Sequence, residues 1–154
     1  ERALLDRSGR PLDTTTLDPD GRIDAILAWS ALPGASRHHW GTDIDVIDRA
    51  ATAQGYRPQL VPAEYAPGGV FHRLDAWLTA SMSRFGFYRP YARDLGGVRP
   101  EAWHLSHADT ARPACGGLTA EIMQEAIESA DIEGKERLIE RMDEIRERYV
   151  VERQ

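Results

Sequence analysis

The chain carries a single cysteine and a single lysine in 154 residues, and it has no long apolar run. Cys115 alone can form neither an internal disulfide nor a cysteine-based zinc cluster, and a lone thiol leaves the redox compartment open. With Lys135 as the sole lysine, arginine supplies nearly all the positive charge, but no arginine-rich patch stands out. The formal charge of −6 argues against broad nucleic-acid binding, which needs a basic face to displace counterions from phosphates. No stretch approaches the ~20 apolar residues of a membrane span. Internal repeats and low-complexity tracts are missing too.

What remains is an ordinary globular composition, 42% apolar and 29% charged. The length suits one domain spanning 1–154 with a single core. Glu1 stands where an initiator methionine or signal peptide would, so the expectation is a processed form or fragment that lacks an N-terminal segment.

Residues 1–21 are polar and turn-rich (Ser8, Gly9, Pro11, Pro19, Gly21) and read as an irregular arm. Ile23, Ile26 and Leu27 have helical spacing, with Asp20 or its neighbours available as a cap. Pro33-Gly34 must stop that helix. The alternation from Thr42 to Ile47 predicts a half-buried strand with Ile44 and Val46 facing inward. Residues 48–54 read as helical up to Gly55. Pro58, Pro62, Pro67, Gly68 and Gly69 make 56–69 a loop, either a lid or a plain crossover. Phe71, Leu74, Trp77, Leu78 and Met82 predict a helix over roughly 71–84. Strands are expected over Phe85–Tyr91 and Trp103–His107, with a turn at Gly96-Gly97 and a break at Pro113 and Gly116-Gly117. From Leu118 two apolar stripes follow, separated by Gly134 and with Thr119 as a cap. They predict a C-terminal helical pair over 118–154, packed on the same domain. The fold class is therefore α+β, a small and mainly antiparallel sheet flanked by helices.

The chemistry concentrates in two segments. One is Ser36-Arg37-His38-His39-Trp40-Gly41-Thr42-Asp43-Ile44-Asp45; the other is Glu101-Ala102-Trp103-His104. His38, His104 and Asp45 would make a zinc set of two imidazoles and a carboxylate, leaving a fourth position open. His38 and Asp45 are seven apart, so on one flat strand they would face opposite ways. They can converge only through a turn, and Gly41 is the residue best able to provide it. Glu101 and His104 likewise need a bend, with Glu101 on it and His104 inside the strand. Glu101 beside the metal would then act as general base toward water and as general acid toward a leaving amine.

These segments resemble the signature of the VanY-like zinc D-alanyl-D-alanine carboxypeptidases, Ser-x-His-x-x-Gly-x-Ala-x-Asp followed by Glu-x-Trp-His. Ser36, His38, Gly41 and Asp45 fall on the first part, and Glu101, Trp103 and His104 on the second. The resemblance implies a fold shared with D-Ala-D-Ala dipeptidases, L,D-carboxypeptidases, phage endolysin peptidases and the hedgehog signalling domain. It implies Zn2+ on His38, Asp45 and His104, Glu101 as the catalytic carboxylate, and Ser36 and Trp103 as substrate-side residues. The implied substrate is the peptidoglycan stem peptide, shortened by its terminal D-alanine, which places the protein in the periplasm or cell envelope. An L,D-carboxypeptidase or endopeptidase would use the same site, and a non-catalytic zinc-containing wall-binding module is the alternative of another class.

Two departures stand out. Asp43 replaces the family's alanine; it shares a strand face with Asp45, and reads as a solvated or hydrogen-bonded carboxylate or else as a further ligand. The family's upstream arginine has no patterned counterpart among Arg2, Arg7, Arg10 and Arg22, and is expected in a segment before Glu1. Of the other candidates, His39 either braces the neighbouring ligand or is simply exposed, His107 faces away from the metal, and His72 is at the surface. Cys115 has no histidine partner. Tyr88 and Tyr91 line the groove or pack in the core.

Overall fold

The computed structural model describes residues 4–6 and 10–151, so Arg2, Arg7, Ser8 and Gly9 of the expected arm lie outside the described residues. The architecture is α+β. Three short strands, β1 (Asp43–Asp45), β2 (Phe87–Tyr88) and β3 (His104–His107), form an antiparallel sheet in the order β1-β3-β2. The register pairs Asp43 with Ser106 and Asp45 with His104 on one side of the central strand, and Tyr88 with Ser106 on the other. Residues directly opposite on antiparallel strands share a face. Asp43, Asp45, His104 and Ser106 therefore line one side of the sheet.

That register reverses the expected facing of β1. Asp43 is 5% exposed, whereas Ile44 is 48% exposed and turned outward. The hydrophobic alternation misleads here because the covered face of this edge strand is polar.

Helix α1 (Pro19–Leu27) begins inside the supposedly irregular arm. Asp18 caps it by accepting from the Gly21 N–H at 2.7 Å, and Pro19 takes the first turn, where its missing N–H costs nothing. The expected helix over 48–54 shrinks to a 3-10 turn, Arg49–Ala51, held by Asp48. Within the 56–69 loop a single turn, α2 (Pro62–Tyr65), buries Tyr65 against Phe71 and Trp103. Helix α3 (His72–Ser81) follows, extended by a 3-10 turn at Met82–Phe85.

The expected break around Pro113 is instead a helix, α4 (Ala108–Gly117), with the proline inside it. An interior proline costs about 3 kcal/mol in hydrogen bonding and sterics. Burial of Ala111 and Cys115 works against that cost, and the Cys115 thiol reaches the Val150 carbonyl at 3.7 Å.

The C-terminal part consists of α5 (Ala120–Ser129), capped by Thr119, then α6 (Lys135–Glu140), α7 (Met142–Ile145) and a wide final turn at Arg146–Val150. Met123, Ile127, Leu138 and Ile145 from these helices bury against Leu27, Leu32 and Ala35. Ion pairs reinforce the contact: Arg141 and Arg148 each meet Asp24 at 2.7 Å, and Arg137 meets Asp20 at 2.6 Å. Ion pairs at a solvent-screened surface contribute little, so apolar burial dominates. Gly97 lets the chain before Glu101 pass close to the final turn, since a Cβ there would lie 2.0 Å from the Arg148 carbonyl oxygen. Among the described residues no helix is long and apolar enough to cross a membrane.

Candidate metal centre

His38 sits in a 3-10 turn, Arg37–Trp40, that ends at Gly41 in the left-handed conformation (φ 69°). This reversal brings His38 back over the start of β1, where a side chain with a Cβ would be strained. Asp45 ends β1 and His104 opens β3 directly opposite it. Glu101 lies on the bend before β3, its N–H donating to the Tyr91 carbonyl at 2.9 Å. The Gly41 reversal and this bend resolve the spacing problems of the two motifs.

One ligand atom each from His38, Asp45 and His104 lies within 4.8 Å of the others. Asp45 Oδ1 is 3.6 Å from His38 Nε2 and 3.6 Å from His104 Nδ1. Ligands at the ~2.0–2.2 Å bond lengths of zinc sit roughly 3.3 Å apart around a tetrahedral ion. Asp45 is thus close to ligand spacing from each imidazole, and the three atoms fall within reach of one small divalent cation. The two imidazole rings are 4.6 Å apart, and Tyr91 meets His104 edge-on at 5.1 Å. Glu101 Oε2 is 3.2 Å from His104 Nδ1, next to the cluster but outside the three-atom set.

Behind the cluster lies a buried polar layer. His104 Nε2 meets Asp43 Oδ1 at 2.8 Å, and Arg37 Nε donates to the same oxygen at 2.9 Å. Thr42 Oγ1 donates to the other carboxylate oxygen at 2.6 Å. Arg37 also donates to Tyr88 Oη at 2.9 Å and Ser106 Oγ at 2.8 Å, and stacks on Trp40. Burial opposes ionisation of Asp43, yet hydrogen bonds from His104, Thr42 and Arg37 hold its carboxyl well below the usual range. Burial likewise opposes a charge on His104, but the Asp43 and Glu101 carboxylates outweigh it and raise the imidazole to about 9.

A pH dependence follows for the metal-free protein. His104 is raised above its unfolded value of ~6.5, so its contact is fully stabilising below that pH and is lost as pH rises through about 9. NMR of chelated protein should therefore place the His104 titration near pH 9, and saturating metal should remove it. A titration near 6.5 would disprove the coupling to Asp43 and Glu101.

The structure brings together His38, Asp45, His104 and Glu101, and Ser36 and Trp103 line the same cleft. Ser36 precedes the His38 turn, and Trp103 is largely buried against Tyr65. Asp43 is a hydrogen-bonded carboxylate behind His104. His39 is exposed, and His107 turns away toward Thr110 and Phe87. Tyr91 lines the cleft whereas Tyr88 holds Arg37, and no residue of 56–69 lines it.

Sequence reasoning misses Arg37. It is the arginine lining the cleft, but its guanidinium is committed to Asp43, Tyr88 and Ser106. The available signal was an arginine and an aspartate flanking the Gly41 turn.

Two histidines, one carboxylate and an adjacent acid in a cleft define a site suited to metal-assisted hydrolysis. The family model for VanY, D-alanyl-D-alanine carboxypeptidase, matches residues 12–110, and the chain belongs to that family of peptidases. An uncharacterised protein of Haemophilus influenzae is 34% identical over 122 residues, covering 78% of this chain and 93% of the relative. No solved structure matches the chain.

Proposed function

We propose that this protein is a zinc-dependent carboxypeptidase that removes the terminal D-alanine from peptidoglycan stem peptides in the cell envelope. The observation that carries this reading is Glu101, 3.2 Å from a nitrogen of the His38, Asp45, His104 cluster. Zinc held by those three residues would supply a Lewis acid that polarises a carbonyl and acidifies water. Glu101 takes the proton of the attacking water and returns it to the departing amine. Ser36 and Trp103 line the cleft on the substrate side, and Tyr91 keeps His104 in place with its ring. A zinc module with a purely structural role would have no use for a carboxylate beside the ligands, so Glu101 favours the enzyme over the binding module.

Mass spectrometry of a defined stem pentapeptide incubated with the zinc-loaded protein tests the proposal. Loss of one D-alanine is expected. Intact pentapeptide with cleavage of a tetrapeptide at its L,D bond would move the assignment to an L,D-carboxypeptidase. No cleavage of either, with zinc bound, would overturn the catalytic reading.

A further inference from the structure

We propose that Asp43 is a positioning residue that fixes the tautomers of both histidines, with Arg37 holding its carboxylate in place; this rests on the zinc reading above. A neutral imidazole ligates through the nitrogen that lacks a proton, so the acceptor facing its other nitrogen decides which one is free. Asp43 supplies both acceptors. Its main-chain carbonyl is 3.1 Å from His38 Nδ1, and its Oδ1 is 2.8 Å from His104 Nε2. Carbonyl and ionised carboxylate oxygens accept only. With zinc bound on the other side of each ring, the protons therefore sit on His38 Nδ1 and His104 Nε2. That leaves His38 Nε2 and His104 Nδ1, each 3.6 Å from Asp45, for the metal, which at His104 Nδ1 would displace the proton shared with Glu101 Oε2 at 3.2 Å in the metal-free protein.

A buried carboxylate performs this service only if its charge is compensated. The Asp43 side chain is fully buried and that of Arg37 is 1% exposed. Arg37 reaches the same oxygen that faces His104, while its far nitrogen anchors on β2 through Tyr88 and on β3 through Ser106. The carboxylate is thus fixed relative to the strand that carries His104. Alanine, the residue of the family pattern, would keep the carbonyl facing His38 and lose the carboxylate facing His104. The effect of Asp43 on His104 is therefore particular to a chain with this substitution, and Arg37 and Asp43 belong together.

Zinc affinity, measured by competition with a chromophoric chelator, tests the inference on the full chain. Arg37→Met combined with Asp43→Ala removes both buried charges, so it leaves no orphaned ion. It should fold and bind zinc about 10–100-fold more weakly than the wild type. Arg37→Met combined with Asp43→Asn keeps an acceptor oxygen facing His104, again without an orphaned ion, and should recover most of that loss. Nitrogen NMR of the zinc-loaded wild type gives an independent reading, expected to show protons on His38 Nδ1 and His104 Nε2. The opposite tautomer on His104, or a folded alanine double variant with wild-type affinity, overturns the inference while leaving the zinc reading intact. A wild type that takes up no zinc overturns both.

Discussion

Replacing Glu101 with glutamine should lower the turnover of a stem pentapeptide by about 10²–10⁴-fold, the usual contribution of a positioned general acid/base, with zinc content unchanged. The amide has nearly the shape of the carboxylate but cannot take a proton from water. Glu101 lies outside the three-atom cluster, so its loss leaves the donor set of His38, Asp45 and His104 complete. The main chain at this position is held by the Tyr91 carbonyl, which the substitution does not touch. The defect should appear in kcat with KM little altered, because proton transfer belongs to the transition state rather than to binding. Metal analysis and steady-state kinetics on the same preparation check both halves. A variant that loses zinc along with activity would make Glu101 a ligand, and one that keeps full activity would remove it from the chemistry.

The clustering of His38, Asp45 and His104 was legible in the sequence because histidine and carboxylate are chemically conspicuous and their spacing demanded a turn that Gly41 could supply. The sheet was legible less finely. Alternation assigns the inward face to apolar residues, and β1 lines a polar site, so Ile44 and Asp43 exchanged places. Strands of two to four residues owe their existence to pairing with β3 rather than to their own pattern. The aromatic run 85–91 therefore overstated β2. Helix α4 was hidden by Pro113 and the glycine pair, local signals that burial of Ala111 and Cys115 overrides. The Arg37–Asp43 pair stayed invisible for another reason. A buried ion pair shows in a sequence only as two charges, and the burial that gives them meaning is tertiary.

The second large effect is expected from His104→Ala, which should abolish stoichiometric zinc binding and make the protein's melting temperature indifferent to chelator. His104 is the buried member of the cluster, 4% exposed, and the one whose ring is fixed on three sides by Asp43, Glu101 and Tyr91. Removing it leaves His38 and Asp45, too few donors for a tight zinc site. Asp43 keeps Arg37 and Thr42 as partners, so the vacated ring space leaves no unpaired buried charge and the variant should still fold. In the wild type, free zinc at a thousand times its Kd stabilises the native state by about 4 kcal/mol. At ~2–4 °C per kcal/mol for a chain of this size, chelation should lower the melting temperature by roughly 8–16 °C. Thermal scans with and without chelator on both proteins check this. An equal chelator shift in the variant would mean that the metal is held elsewhere, and no shift in the wild type would mean that these three side chains hold none tightly.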